Sequence, residues 1–280
     1  MLGALLYATF LGVPFSRIGR AFRDWRFLAE VLTVNFLLVP IAVWPLSRIV
    51  AHDEAILIGV LFVLLTPCVD YVIVFTGLAG GAKDRLLAAT PLLMLAQMLL
   101  LPLYLRLFMG AGVAQAVDPE PFVEAFLLLI FLPLLAAGLT QLAGARTRGR
   151  ARVQRAVSES VVPVMALTLA TVVASQIAGV GHRLERILPA LPVFVLFAAV
   201  MVPIGIVAGR LAQLDAPGRR AIVFSAATRN SLVVLPLVLA LPDRFDPAPL
   251  VVVAQTLVEL VVMVVFVRLI PRLVGRAASG

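Results

Sequence analysis

Long apolar stretches, each closed by a short polar turn, recur along the whole chain. They lie near residues 1–15, 27–47, 55–80, 85–109, 121–143, 156–178, 187–211, 218–241 and 248–271. Most reach the ~20 residues with which an α-helix crosses a hydrocarbon core of about 30 Å, although the first falls short of the roughly 17-residue minimum. The apolar positions run on without alternating polar residues, and they far exceed the ~10 residues of a membrane strand. The pattern predicts an all-α polytopic membrane protein with about nine transmembrane helices.

Composition agrees. Hydrophobic residues make up 62% of the 280 and charged residues only 14%, against about 25% charged in a soluble domain. One core cannot absorb that much apolar surface, so the excess must face lipid. Met1 to Phe15 carries neither a basic leader nor a small-residue cleavage pattern, so no cleavable signal peptide is expected. The single cysteine excludes an intrachain disulfide.

The net charge of +8 raises nucleic acid as a partner, but topology explains it better. With the N-terminus outside, seventeen basic residues fall on inner segments and five on outer ones. This strong positive-inside bias predicts an outer N-terminus and a cytoplasmic C-terminus. The run at 146–155 then reads as a topogenic cytoplasmic loop rather than a nucleic-acid patch. Arg229 is left within the membrane.

Two of the spans are broken. In the third, Thr66-Pro67-Cys68-Val69-Asp70 places a helix breaker, the one thiol and an acid directly after the apolar run Ala55 to Leu65. In the eighth, Ser225 to Ser231, with Thr228, Arg229 and Asn230 inside it, separates two apolar pieces. The breaks lie five spans apart, and an odd offset puts equivalent helices in opposite orientations, as in an inverted repeat. Paired interruptions in corresponding places are the best sequence pointer to a secondary transporter's binding site. Unwound backbone at that depth is tolerated only where it is buried in protein or lines a watery cavity.

On these residues the chain resembles the bile acid:sodium symporter superfamily, and more closely its arsenite-permease branch. Pro67-Cys68, followed by Val72-Ile73-Val74 and Leu78-Ala79, is similar to that branch's broken-helix motif. Gln97 and Leu257-Val258-Glu259 stand where arsenite permeases carry a Gln and a Leu-Ile-Glu. The resemblance covers essentially the whole chain except the family's usual first helix. It implies a core subdomain from about 27–109 and 187–271, a panel subdomain from about 1–26 and 121–178, and transport by rocking between them. It also has departures. Ser225 and Arg229 stand where sodium-coupled members hold a Glu and a Gln, and only Asn230 matches. A guanidinium donates hydrogen bonds and coordinates no cation, so sodium coupling is not expected.

The candidate substrate residues are Cys68, Asp70, Gln97, Arg229, Asn230, Ser231 and Glu259, with Thr66, Pro67, Ser225 and Thr228 forming the breaks. Each has a plainer reading. Cys68 can be a small buried hydrophobe. Asp70 and Arg229, costly in a bilayer, can be an ion pair bracing the two breaks. Glu259 can be a proton relay, or it can share an interhelical hydrogen bond with Gln255. Gln97 and Asn35 read as interhelical glue as readily as ligands. No metal-ligand spacing and no catalytic triad appear, and His52 and His182 fall in outer loops, so neither enzyme nor cofactor is expected.

The expected partners are the bilayer and a small-molecule or oxyanion substrate. The leading expectation is export of arsenite across the plasma membrane, because a single soft thiol suits As(III) and holds it weakly enough to release. The alternative is uptake of a small organic anion, with Arg229 between two half-helix N-termini binding its carboxylate. A non-transporting receptor is a third possibility, disfavoured because no soluble domain is present to pass a signal onward.

Overall fold

The structure, a computed structural model, describes residues 7, 23–69, 71–116, 127, 131–143 and 185–275. Its elements are helical. Helix α1 spans Trp25–Val50, with a π-turn at Val34–Leu38. Then follow α2 (Glu54–Leu64), α3 (Tyr71–Leu78) and α4 (Lys83–Ala116). Helix α5 is Leu132–Ala143 and α6 is Ala190–Leu211. The chain closes with α7 (Ala216–Ala227), α8 (Ser231–Leu239) and α9 (Ala248–Val274).

Four helices among the described residues are long and apolar enough to cross a membrane: Trp25–Val50, Lys83–Met109, Glu185–Leu211 and Asp243–Val274. The protein is an all-α, multi-pass membrane protein. Of the nine expected spans, those near 1–15 and 156–178 lie almost wholly outside the described residues and that near 121–143 lies partly outside them; the segments assigned to the core are described except at Asp70.

Acidic and amide side chains start these helices where the sequence offers them. Asp53 Oδ1 accepts from the Ala55 and Ile56 N–H groups at 3.0 and 3.3 Å to open α2, and its Oδ2 accepts from Arg186 Nε at 2.6 Å. Asp215 opens α7 in the same way, and Asn230 opens α8. Each satisfies an N–H that the first turn would otherwise leave orphaned.

The same order of elements occurs twice: long helix, broken helix, long helix. In the first half it is α1, α2 with α3, and α4; in the second, α6, α7 with α8, and α9. The broken helices run through the middle. Every residue of α2 from Ala55 to Leu64 is buried, as is every residue of α7 from Arg220 to Ala227. A helix apolar all round is one that is surrounded. The outer helices instead keep one exposed face, as in Leu257, Val261, Val264 and Val265 along α9.

Helix α6 packs along α7, and α9 packs against α2 and α8. Glycines let the helices approach closely. A Cβ on Gly59 of α2 would lie 3.0 Å from the Ala248 carbonyl and 3.0 Å from Val251 Cβ in α9. A Cβ on Gly205 of α6 would lie 3.0 Å from Val223 Cα in α7. Backbone cannot yield as a flexible side-chain end can. Gly59→Val is therefore expected to cost about 1–3 kcal/mol by overpacking, read as a lower melting temperature of the purified protein in detergent. An unchanged melting temperature would mean that the α2–α9 contact is looser than this geometry.

Candidate functional site

Helix α2 ends because Pro67 carries no N–H and pushes Thr66 out of the helical region. Thr66 turns its hydroxyl back to the Phe62 carbonyl at 2.8 Å. The second break is the mirror of the first. Thr228 is extended (φ −112°, ψ 143°), and its hydroxyl reaches the Phe224 carbonyl, also at 2.8 Å.

The two unwound stretches lie side by side and antiparallel, with Pro67 opposite Arg229. Cys68 N–H donates to the Thr228 carbonyl at 3.3 Å, and Asn230 N–H donates to the Thr66 carbonyl at 2.9 Å. Thr66-Pro67-Cys68 is thus paired with Thr228-Arg229-Asn230 about a local two-fold relation. The crossing expected from the two sequence breaks is present.

No proline ends α7. Arg229 does that work instead. Its Nη2 donates to the carbonyls of Ser225 and Ala226 at 2.7 and 2.6 Å, which lie in the last turn of α7. Nη1 reaches the Leu64 carbonyl at the end of α2 at 3.4 Å. Nη2 also meets Asn35 Oδ1 at 3.0 Å, and the guanidinium sits 5.2 Å from the Phe197 ring centroid. These are negative helix ends, where a cation is stabilised.

The expectation that Arg229 would lie between half-helix N-termini, ready for a carboxylate, is therefore corrected: its guanidinium is turned to two C-termini. Only its Nε lacks a partner among the described residues. Asp70 lies outside the described residues, so its expected pairing with Arg229 does too.

Asn35 is held by the π-turn of α1. Its Nδ2 donates to the Val31 carbonyl and to Ser225 Oγ, both at 2.8 Å, while Oδ1 takes the guanidinium. The sequence offers Asn35 only as one polar residue in an apolar span. The π-turn, a frequent mark of functional sites, cannot be read there.

Glu259 comes to the crossing from α9. Its Oε1 accepts from Tyr71 Oη at 2.7 Å. Its Oε2 accepts from the Arg229 peptide N–H at 2.8 Å and from Gln255 Nε2 one turn earlier, the pairing that the sequence allowed. Pro67 and Arg229 are the pair of this bridge that exchange no hydrogen bond with each other, so Arg229's own peptide N–H points away from Pro67, and Glu259 accepts from it. Sequence reading passed over Tyr71, which differs from its apolar neighbours by one hydroxyl. A narrow pocket between α6 and α9 reaches Gln255 and Glu259 past Phe194, Phe197 and Val262, with room for about one water molecule.

Cys68 is fully buried at the crossing, within electrostatic reach of Arg229. Asn230 and Ser231 open α8 at the same crossing. Asn230 Nδ2, Ser231 Oγ and Gln255 Oε1 are buried with no partner among the described residues. Gln97 is buried on α4 with Oε1 likewise unpartnered, but no described hydrogen bond joins it to the crossing. No group of three or more His, Cys, Asp or Glu side chains stands together among the described residues. Apart from the Arg229 Nε, the side-chain groups at the crossing without a described partner are neutral: one amide N–H₂, one hydroxyl and one amide oxygen.

Two interrupted helices that cross and exchange backbone hydrogen bonds are an arrangement with which transporters build a binding site near the bilayer midplane. Residues 11–273 match the model of the SBF-like CPA transporter family. The chain belongs to that family, which is related to the bile acid:sodium symporter superfamily, and it is a multi-pass membrane transporter of small molecules. Among curated proteins none matches it.

Asn35→Leu removes an acceptor from a buried cation. A hydrogen bond to a charged group contributes about 1.5–3 kcal/mol, so this variant should lose about that much stability in detergent. Thr90→Val removes only a neutral hydroxyl bonded within its own helix and should lose less. Equal losses would show that Asn35 is packing and not a support for Arg229.

Proposed function

We propose that this transporter exports arsenite from the cytoplasm across the plasma membrane without sodium, with its N-terminus outside and its C-terminus inside. The observation that carries the reading is the chemistry at the crossing. The chain's one thiol, Cys68, is buried at the crossing that also holds Asn230 Nδ2 and Ser231 Oγ, two neutral groups with no described partner.

Arsenite is largely a neutral trihydroxide near pH 7. Its hydroxyls suit an amide and a hydroxyl, and its soft As(III) suits sulfur. One sulfur rather than three keeps the contact weak enough for release. The engagement of Arg229 with backbone carbonyls weighs against an organic anion, because both of its Nη atoms already donate and only Nε is without a described partner. Cys68 is closed off in this state, so access requires the core to move against the panel subdomain, as in alternating access.

The test is flux. Inverted vesicles should accumulate arsenite as well in choline as in sodium buffer, and a steep, saturable sodium dependence would overturn the coupling. Cys68→Ser keeps size and polarity but removes the soft donor. It should abolish arsenite resistance in an exporter-deficient host while expression stays near wild type, and Cys68→Ala should match it. A permeant maleimide should label Cys68 more slowly when arsenite is present. Full resistance in the Ser variant would make Cys68 a packing residue. Carboxylate uptake by right-side-out vesicles would then put the organic-anion reading in its place.

A further inference from the structure

Four oxygens from three separate elements converge on the Arg229 guanidinium: the carbonyls of Leu64, Ser225 and Ala226, and Asn35 Oδ1. Arg229 is wholly buried, at 0% exposure. Three of the four oxygens are carbonyls at the C-terminal ends of α2 and α7, the two half-helices that enter the crossing. Unwound carbonyls and half-helix C-termini are also the groups with which discontinuous helices hold a monovalent metal ion.

The guanidinium contacts neither carboxylate oxygen of Glu259 among the described hydrogen bonds; the Arg229 peptide N–H meets that carboxylate instead. The positive charge is therefore placed by neutral oxygens and helix dipoles, not by a contact ion pair. That is the environment of a bound cation rather than of a salt bridge.

We propose that Arg229 is a tethered cation: its guanidinium permanently occupies a monovalent-cation site built from the ends of α2 and α7 and from Asn35, and so holds the two breaks together. The alternative, a side chain that only packs, explains neither the convergence of three elements nor the choice of carbonyl ends. The inference deepens the sodium-independent reading and rests on it for its meaning in transport. An external ion cannot enter an occupied site, so no ion binds or leaves there during a cycle. The charge travels with the core whichever way the core faces.

Removing the side chain should uncover the site. The melting temperature of the purified wild-type protein in detergent should be the same in sodium chloride and choline chloride. Arg229→Ala should melt lower in choline chloride. Millimolar guanidinium chloride or sodium chloride should then raise it saturably, by several degrees at roughly a hundred times the Kd. Choline, too large for the oxygen cage, should have no effect. The proposal fails if Arg229→Ala melts like wild type in choline chloride, or if it responds equally to choline, sodium and guanidinium.

Should Arg229→Ala not fold, a charge comparison decides. Arg229→Lys brings an ammonium toward the same oxygens and should yield folded, sodium-insensitive protein. Arg229→Met has similar bulk without charge and should not. Equal yield and stability of the Lys and Met variants would make Arg229 a packing residue. These readouts need no substrate, so arsenite flux can fail while the tethered cation stands, and the reverse.

Discussion

The structure depends on how two stretches of unwound backbone satisfy their hydrogen bonds where water is scarce. An unpaired N–H or C=O buried in such a place costs several kcal/mol. The chain solves this with its own second half. Cys68 N–H meets the Thr228 carbonyl and Asn230 N–H meets the Thr66 carbonyl, so each break completes the other. Neither interruption is sustainable alone, and the core helices must pack so that the two meet.

Once the breaks are joined, what remains is charge. The half-helices α2 and α7 end with carbonyls turned inward, and Arg229 meets them from within the crossing itself. The same residue sends its peptide N–H to Glu259, whose other oxygen takes Tyr71. Arg229 thus ties α1, α2, α7 and α9 to one point. Arg220 acts similarly at the far end of α3, donating to the Ala79 and Gly80 carbonyls at 3.2 and 3.3 Å. The positive-inside pattern treats Arg220 as one more topogenic arginine, yet it is largely buried. Arginine caps helix ends here in places where a soluble protein would leave carbonyls to water.

A few side-chain groups at the crossing are what this framework leaves over. Backbone and charge there are largely satisfied, and at the crossing the groups without a partner among the described residues are uncharged apart from the Arg229 Nε: an amide on Asn230, a hydroxyl on Ser231, an amide oxygen on Gln255.

Sequence alone determined the class of solvent, the helical fold and the places where helices break. Those are local matters: the length of an apolar run, a proline's missing N–H, a polar cluster inside a greasy span. It also marked Cys68, Arg229, Asn230 and Glu259 as unusual, because a polar side chain in a bilayer needs a reason. Only the tertiary structure decided which partners they have. The turning of Arg229 toward carbonyl ends rather than toward an incoming anion depends on where α2 finishes, 165 residues away in sequence from the residue it meets. The roles of Asn35 and Tyr71 were illegible for the same reason. Asn35 shows in the sequence only as a polar residue in an apolar span, and Tyr71 breaks no pattern; each acquires its function from a group that the fold carries to it across more than 150 residues.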